Sequence, residues 1–286
     1  MPLDFVNDNN LVGDMPTKLD FGVNFEPTKV FDKKYVINDA TGEYLGVVGN
    51  GFSCADHPVF FNGVEEAMTE NLSTTHLDNA KINWRVCRNN TWAMLDITLP
   101  NVERNIVTDK HNTVVNQRFI ALHAIDGSCS NQVYYGAIDT FCTNGMITGD
   151  YDKVRRKNSS NFTMASFIDE LKNSRRDFDL QMDTFQEWAF TSIKHINIKE
   201  LLDNLMKSER KSEKMFTLYN QEVSRRGANV FALYSAFTNY ASYADERNGF
   251  QMRNTGNDTQ AQTMWNREQE VSKWVSSPQF KQLVAA

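Results

Sequence analysis

The feature that most constrains the fold is a change in the spacing of apolar residues near position 149. Before it, apolar side chains alternate, as at Ala93, Leu95, Ile97 and Leu99, and this period of two is typical of a β-strand with one apolar face. After it, apolar residues recur at intervals of four and three, as on one face of an α-helix. We therefore expect an α+β fold, with an antiparallel β-rich N-terminal half that has one or two short helices and a helical C-terminal half.

One long amphipathic helix is predicted over 162–190, where Arg175 alone interrupts the apolar seam. The seam residues are Met164, Ile168, Leu171, Phe178, Met182, Phe185 and Ala189. Their 4-3 spacing is also that of a coiled coil. Other helices are predicted at 59–72, 198–207, 211–225, 230–244 and 259–275.

The chain of 286 residues, 41% of them apolar, is long enough for one large domain. Residues 1–24 are polar and predict an extended N-terminal arm. Residues 25–150 form the β-rich portion, and 151–286 the helical portion packed on the same domain. Hairpins are predicted from the strands 34–37 and 44–48, and from 81–86 and 92–99, where Asn89-Asn90 supplies the turn. In the central strand, apolar residues on both faces predict an interior position.

Charge is distributed unevenly. Residues 1–150 have 10 Lys and Arg against 19 Asp and Glu, a balance of −9, whereas 151–286 have 20 against 17, a balance of +3. A net charge of −6 argues against a uniformly basic nucleic-acid binder. Any basic surface is expected in the C-terminal half.

Composition also restricts location and cofactors. The four cysteines have no CxxC pairing, so neither a structural zinc site nor a disulfide framework is indicated. The first residues lack the features of a signal peptide, and no apolar run is long enough to span a membrane. We expect a cytoplasmic protein with no membrane contact and no small-molecule cofactor.

His123 and Asp126 form the most catalytic-looking pair, because a tight turn could bring imidazole and carboxylate within hydrogen-bond reach. The alternative is stronger: His123 falls on an apolar strand face, and Asp126-Gly127 is a common turn dipeptide. Cys54 and His57 could ligate one metal but have no second pair, and Cys142 has no nearby His to activate it. Enzymatic activity is therefore less expected than binding.

The basic clusters favour a binding function. We select Lys153, Arg155, Arg156 and Lys157 as phosphate contacts, because Asp152 is their only acidic neighbour. The second choices are Arg175 and Arg176 for phosphates, with Tyr151 or Phe162 stacking bases. The alternative is that these cations lie on solvated helix faces and pair with Glu.

The order and spacing of several motifs resemble the phage- and plasmid-borne family called domain of unknown function 932, from about residue 30 to 275. The motifs are Tyr44-Leu45-Gly46-Val47-Val48-Gly49 with Gly51-Phe52, Asp126-Gly127-Ser128, Cys142-Thr143-Asn144-Gly145 with Met146-Ile147, and Arg226-Gly227-Ala228-Asn229 leading into 232–240. Members usually have His directly before the Asp-Gly and after the basic run. Here those positions are Ile125 and Asn158, which weakens any His-dependent activity.

The resemblance implies a β-rich half followed by helices, similar in outline to the single-strand annealing recombination proteins of phages. Our first hypothesis is a non-enzymatic phage protein that binds single-stranded DNA and supports annealing in replication or recombination, as a homo-oligomer. The second is a phage assembly or host-interaction protein that uses the 162–190 helix and the N-terminal arm. A third is an enzyme that uses His123 and Asp126.

Overall fold

The computed structural model describes residues 15–139, 144–146, 153–173, 177–242, 246–247, 250–251 and 257–285. Within them, antiparallel strands dominate the N-terminal half and helices the C-terminal half, so the predicted α+β class is confirmed. The described part of the predicted arm includes a 3-10 turn at Thr17–Leu19, which buries Leu19 in the core. Residues 1–14 lie outside the described residues.

A small antiparallel sheet comes first, in the order β1-β2-β3. Its strands are β1 (Val23–Pro27), β2 (Lys33–Asn38) and β3 (Tyr44–Gly49). The predicted turn between β2 and β3 contains Gly42 at φ +72°, a conformation that glycine adopts without steric cost. This hairpin is confirmed.

A six-stranded antiparallel sheet forms the centre of the molecule. Its strands are β4 (Lys81–Cys87), β5 (Trp92–Val107), β6 (Asn112–Ala124), β7 (Asn131–Asp139), β8 (Asn144–Met146) and β9 (Lys153–Arg156). The order is β4-β5-β6-β7-β8, and β9 also pairs with β7. β6 is an interior strand, as predicted, but β5 is longer than 92–99 because a register shift between Leu99 and Glu103 lets pairing continue past Pro100.

Most helices match the apolar spacing. They are α1 (His57–Asn71), α2 (Thr74–Leu77), α3 (Met164–Asn173), α4 (Asp177–Phe190), α5 (Ile198–Met206), α6 (Glu209–Arg226), α7 (Val230–Ser242), α8 (Asn257–Val275) and α9 (Pro278–Ala285). A two-stranded hairpin, β10 (Glu246–Arg247) with β11 (Phe250–Gln251), lies between α7 and α8. The basic segment 153–156 is a strand, which the change to helical spacing near position 149 did not predict.

The element predicted over 162–190 is described as two helices, α3 and α4. Positions 174–176, with Arg175, lie outside the described residues. Ile168 and Leu171 of α3 are buried against α1 and the large sheet, whereas Met182 and Phe185 of α4 are buried among the C-terminal helices. The apolar seam therefore packs inside this chain, in two separate cores.

The two faces of the large sheet are covered differently. Leu95, Phe119 and Val133 pack under α1 and α3, and Met94, Ile120 and Leu122 face the opposite side, where α8 packs against β4. A third core joins α4–α9 to the far ends of β5, β6 and β7. None of the helices described is both long and apolar enough to cross a membrane.

Two buried arginines join the large sheet to the helices. Arg226 of α6 binds Asp139 of β7, and its Nε donates to Glu222 at 2.9 Å. Arg118 of β6 binds both oxygens of Asp96, at 2.8 and 2.7 Å. A buried charge is costly unless it is paired, so these residues fix how the layers meet.

The cluster around Arg118 reaches the last long helix. Nη1 of Arg118 donates to Oε1 of Glu268 on α8 at 3.2 Å. The cluster around Arg226 includes a neutral partner as well, because Thr113 donates to Asp139 at 2.6 Å. Each arginine thus contacts two carboxylates, one of which belongs to the other half of the chain.

Candidate nucleic-acid interface

β9 places the basic segment along one edge of β7. The antiparallel register pairs Arg155 with Gln132 and Arg156 with Asn131. Because successive residues of a strand point to opposite faces, the side chains of Arg155 and Arg156 diverge. The segment therefore cannot direct all its cations into one groove.

Arg156 lies on the face covered by α3. Its Nη2 is 2.7 Å from Oε2 of Glu170, and its neighbour Val154 is buried in the core on that side of the sheet. The guanidinium is about half exposed, but its charge is balanced by the carboxylate. Arg156 is consequently a weaker candidate for a phosphate contact than its position in the sequence indicates.

Arg155 and Lys157 are exposed. Nε of Arg155 donates to the neutral hydroxyl of Ser130 at 2.8 Å. Within the described ranges, neither cation forms an ion pair with a carboxylate. Among the described side chains of the predicted cluster, these two retain an uncompensated charge.

Asn158 anchors the end of the basic segment. Its Nδ2 donates to the carbonyl oxygens of Ala124 at 2.8 Å and Cys129 at 3.2 Å. Asn158 is buried. The bonds fix the chain after Lys157 against the β6–β7 turn, so the exposed cations stand on a rigid support.

The other residues predicted to contact nucleic acid are partly buried or lie outside the described side chains. Phe162 is half-buried against the ring of Phe167, with 5.9 Å between centroids, which leaves only part of it open to a base. Four of the selected residues lie outside the described residues: Tyr151, Cys142, Arg175 and Arg176. For Lys153, Asn144 and Gly145 the structure describes the backbone strands alone.

His123 and Asp126 do not bind each other. Nδ1 of His123 is 2.8 Å from Nδ1 of His57, and Nε2 of His57 is 3.0 Å from the carbonyl oxygen of Asn90. A carbonyl oxygen only accepts, so His57 carries its proton on Nε2 and accepts at Nδ1 from His123. Both imidazoles are neutral in this arrangement.

Burial favours the same neutral state. It lowers the pKa of His57 to about 4, and burial together with the neighbouring His57 lowers the pKa of His123 well below its ordinary value. The ring of Phe60 stacks on His123 at 4.5 Å between centroids. The pair is enclosed among aromatic side chains, which separates it from any dissolved substrate.

Asp126 organises the turn after β6. It accepts from Arg88 Nε, Thr91 Oγ1 and the backbone N–H of Ser128, each at 2.9 Å. Burial opposes ionisation of this carboxyl, but these hydrogen bonds outweigh it and hold the pKa of Asp126 below its ordinary value. Gly127 follows at φ +78°, so the Asp-Gly motif has a structural role in the turn.

The cysteine and metal alternatives find no support in the described ranges. Burial, together with the charge of Asp56, raises the pKa of Cys54 to about 12, which disfavours the thiolate needed for nucleophilic attack or metal binding. No group of three His, Cys, Asp or Glu side chains that could hold a metal occurs there.

The sequence did not reveal the side chains that determine whether each cation is ion-paired. Glu170, the partner of Arg156, and Ser130, the partner of Arg155, belong to no motif of the sequence. Arg226 belongs to a basic dipeptide, yet it is fully buried, and its partner Asp139 is 87 positions away. The alternation within 153–156 was the one available signal that its cations would diverge.

Comparisons with known proteins identify the family. No curated protein and no solved structure matches the chain. A family model does match, over residues 45–280, which includes the large sheet, the basic strand and α3–α8. The chain therefore belongs to the family described as Domain of unknown function (DUF932).

Proposed function

We propose that this chain binds single-stranded DNA through the exposed side of β9 and the residue that follows it. The observation that carries the proposal is the pair of cations Arg155 and Lys157, which are exposed and not ion-paired within the described ranges. Such cations bind phosphates without regard to sequence. In this proposal a phage protein supports annealing in replication or recombination, and acts as an oligomer.

Because successive side chains of β9 point to opposite faces, only some of its cations can belong to the proposed DNA interface. Arg156 faces α3 and Glu170, so it contributes less than Arg155 and Lys157. Ser130 is buried, and its hydroxyl accepts from Nε of Arg155 at 2.8 Å, which orients the guanidinium. The backbone of a single strand would pass over the β9 edge of the sheet, next to the β6–β7 turn.

Binding of a labelled oligothymidylate, measured by fluorescence anisotropy over a series of salt concentrations, tests the proposal. The double variant Arg155→Glu with Lys157→Glu should bind at least tenfold more weakly at about 50 mM salt. The slope of log K against log salt should fall by about 1.4, since each phosphate contact to a single strand contributes about 0.7. Lys281→Glu, which reverses one charge at an exposed position of α9, is the control.

Two results would contradict this function. One is the absence of any binding by the wild-type protein at low salt. The other is an affinity and a salt slope that the double variant leaves at the values of the Lys281→Glu control.

A second candidate, an assembly or host-interaction protein, is favoured by exposed apolar side chains on the N-terminal sheet. Phe31 is 96% exposed before β2 and Tyr44 is 63% exposed at the start of β3, and Val30 and Val47 are also exposed. Exposed apolar side chains are a feature of protein interfaces. The 162–190 seam does not serve this candidate, because its described residues are buried within the chain.

Light scattering with and without DNA separates the two candidates. The assembly function is supported if the mass of the oligomer is the same with and without DNA. The oligomer should also dissociate when Phe31 and Tyr44 are changed to Ser. A mass that changes when oligothymidylate is added supports DNA binding.

A further inference from the structure

The loop between β1 and β2 presents an exposed aromatic side chain. Phe31 is 96% exposed, the most of any large apolar side chain in the described ranges, and Val30 beside it is 64% exposed. Apolar surface held in water is a source of free energy for binding, because its burial is favourable. The loop is therefore a second place, besides the β9 edge, where a ligand can be bound.

Hydrogen bonds hold this loop in one shape. Oγ1 of Thr28 accepts from the N–H of Val30 at 3.1 Å, and the backbone N–H of Thr28 donates to the carbonyl oxygen of Lys33 at 3.3 Å. From the end of β3, the N–H of Asn50 donates to the carbonyl oxygen of Asp32 at 3.3 Å. Because the backbone is already ordered, binding at the Phe31 ring costs little further conformational entropy.

Cations flank the ring in the sequence. Residues 28–34 contain three lysines and one aspartate, a balance of +2. Lys29 and Lys33 are exposed, and within the described ranges neither forms an ion pair. The exposed carboxylates of this region are Asp32 in the loop and Glu26 on β1. The surface around Phe31 is therefore weakly positive, which suits a phosphate backbone.

Two tyrosines extend the aromatic surface along the N-terminal sheet. The ring centroids of Tyr35 on β2 and Tyr44 on β3 are 4.9 Å apart, and Tyr44 is 63% exposed. Lys33 and Tyr35 are two positions apart on β2, so they lie on the same face of the sheet. That face presents aromatic rings together with a lysine, the combination with which proteins hold the bases and phosphates of a single strand.

The N-terminal sheet is next to the β6–β7 turn that contacts β9. Gly127 in this turn lies so close to Val48 of β3 that an added Cβ would be 3.2 Å from Cγ1 of Val48. The turn ends at Ser130, which accepts from Nε of Arg155 at 2.8 Å. The three residues from Gly127 to Ser130 span at most about 11 Å. The β9 edge and the N-terminal sheet are therefore separated by one short turn.

We propose that the loop at 28–33 is a base-stacking subsite for single-stranded DNA. Phe31 packs on a base, and Lys29 and Lys33 bind the neighbouring phosphates. Stacking is indifferent to sequence, because every base has a π face. The inference rests on the proposed function, since the strand bound by Arg155 and Lys157 continues across the β6–β7 turn. The lysines favour this ligand over a protein partner, because lysine is depleted at protein interfaces.

Fluorescence anisotropy with two labelled probes tests the loop: oligothymidylate, and an oligomer of the same length whose sugars carry no bases. The wild-type chain should bind oligothymidylate more tightly. Phe31→Ser should reduce that affinity roughly fivefold to 150-fold, as expected for the loss of one stacked base, and should leave binding of the baseless oligomer nearly unchanged. Phe31→Trp keeps a stacking ring and should retain the affinity. Leu180→Ser, at a 64% exposed position of α4, is the matched control.

The lysines have a readout of their own. Lys29→Glu with Lys33→Glu should lower the slope of log K against log salt by about 1.4 for both probes, since each phosphate contact to a single strand contributes about 0.7. A slope equal to that of the wild-type chain contradicts the phosphate contacts.

Equal binding of the two probes by the wild-type chain overturns the proposal, as does an oligothymidylate affinity that is the same in Phe31→Ser and Leu180→Ser. If Phe31→Ser keeps this affinity but lowers the mass of the oligomer in light scattering, the loop is a protein contact instead. If it keeps the affinity but loses binding to vesicles of anionic phospholipid, the loop is a membrane contact instead.

Failure of the proposed function gives a different pattern. Absence of binding to both probes overturns the proposed function and the loop together. If Arg155→Glu with Lys157→Glu leaves oligothymidylate binding intact while Phe31→Ser weakens it, the β9 site fails and the loop stands. The reverse result removes the loop alone.

Discussion

The buried arginines and the arginines of β9 have the same side chain but differ in burial and in the number of carboxylates they contact. Arg226 and Arg118 are enclosed, and each contacts two carboxylates. Arg155 and Arg156 stand on an edge strand, one beside a hydroxyl and the other beside a single carboxylate. The buried pair therefore fixes the fold, whereas on β9 the charge of Arg155 is available for binding.

The difference shows why counts of basic residues are poor guides to function. Water screens the charge of an exposed arginine, so its ion pair contributes little. A buried arginine loses that solvation and must recover it from well-placed partners. Arg225 and Arg226, adjacent in the sequence, fall on either side of this division, since Arg225 is half exposed and Arg226 fully buried.

The largest expected effect follows from breaking the buried cluster. Arg226→Met removes the buried cation that Asp139 and Glu222 share, and the free energy of unfolding should fall by about 3–5 kcal/mol. Arg225→Met, its matched neighbour, should lower it by about 1 kcal/mol or less. Urea denaturation at neutral pH measures both, and equal losses in the two variants would show that the buried cluster has no special role.

The histidine pair is a third situation, in which buried polar groups are kept neutral. The pKa of His57 is about 4 in the folded chain and about 6.5 when unfolded, so between these values the unfolded state binds more protons. Stability should therefore fall as the pH drops from about 6.5 to 4, by on the order of 3 kcal/mol from His57. Urea denaturation at a series of pH values measures this slope.

The matched variants are His57→Gln and His195→Gln, of which only the first replaces an enclosed imidazole. His57→Gln should flatten the acid slope even if it lowers stability at pH 7. His195→Gln, at an exposed position, should leave the dependence of stability on pH unchanged. A slope retained in His57→Gln would mean that other groups cause the acid instability.

The smallest effect is expected at the surface pair on β9. Arg156→Ala should lower the free energy of unfolding by about 0.2–1 kcal/mol, because both side chains of the Arg156–Glu170 pair are partly exposed. A double-mutant cycle with Glu170→Ala isolates the coupling between the two side chains. A coupling above about 2 kcal/mol would mean that this surface pair stabilises the fold as strongly as a buried cluster, which contradicts the expected difference between the two.

Much of the fold could be predicted because its information is local. Alternation identified β5 and β6, and the turns at Gly42 and Asn89-Asn90 have residues suited to left-handed backbone. The basic strand β9 was missed because four residues, three of them cationic, give too short a pattern to recognise. The seam over 162–190 was recognised, but nothing in its spacing shows that α3 and α4 pack in different cores.

The candidate site was harder, because its state depends on contacts between distant positions. His123 reaches His57 across 66 positions, and Arg155 reaches Ser130 across 25. Tertiary packing alone shows which of these polar groups has a partner.

The link between Arg118 and Glu268 has a consequence for how the protein is made. The two residues are 150 positions apart, so a ribosome must add 150 residues after Arg118 before its second carboxylate exists. Until then, one face of the nascent sheet lacks α8 and displays Met94, Ile120 and Leu122. Packing of α8 on the sheet is thus a late event in synthesis, and a chaperone that shields this face would act in that interval.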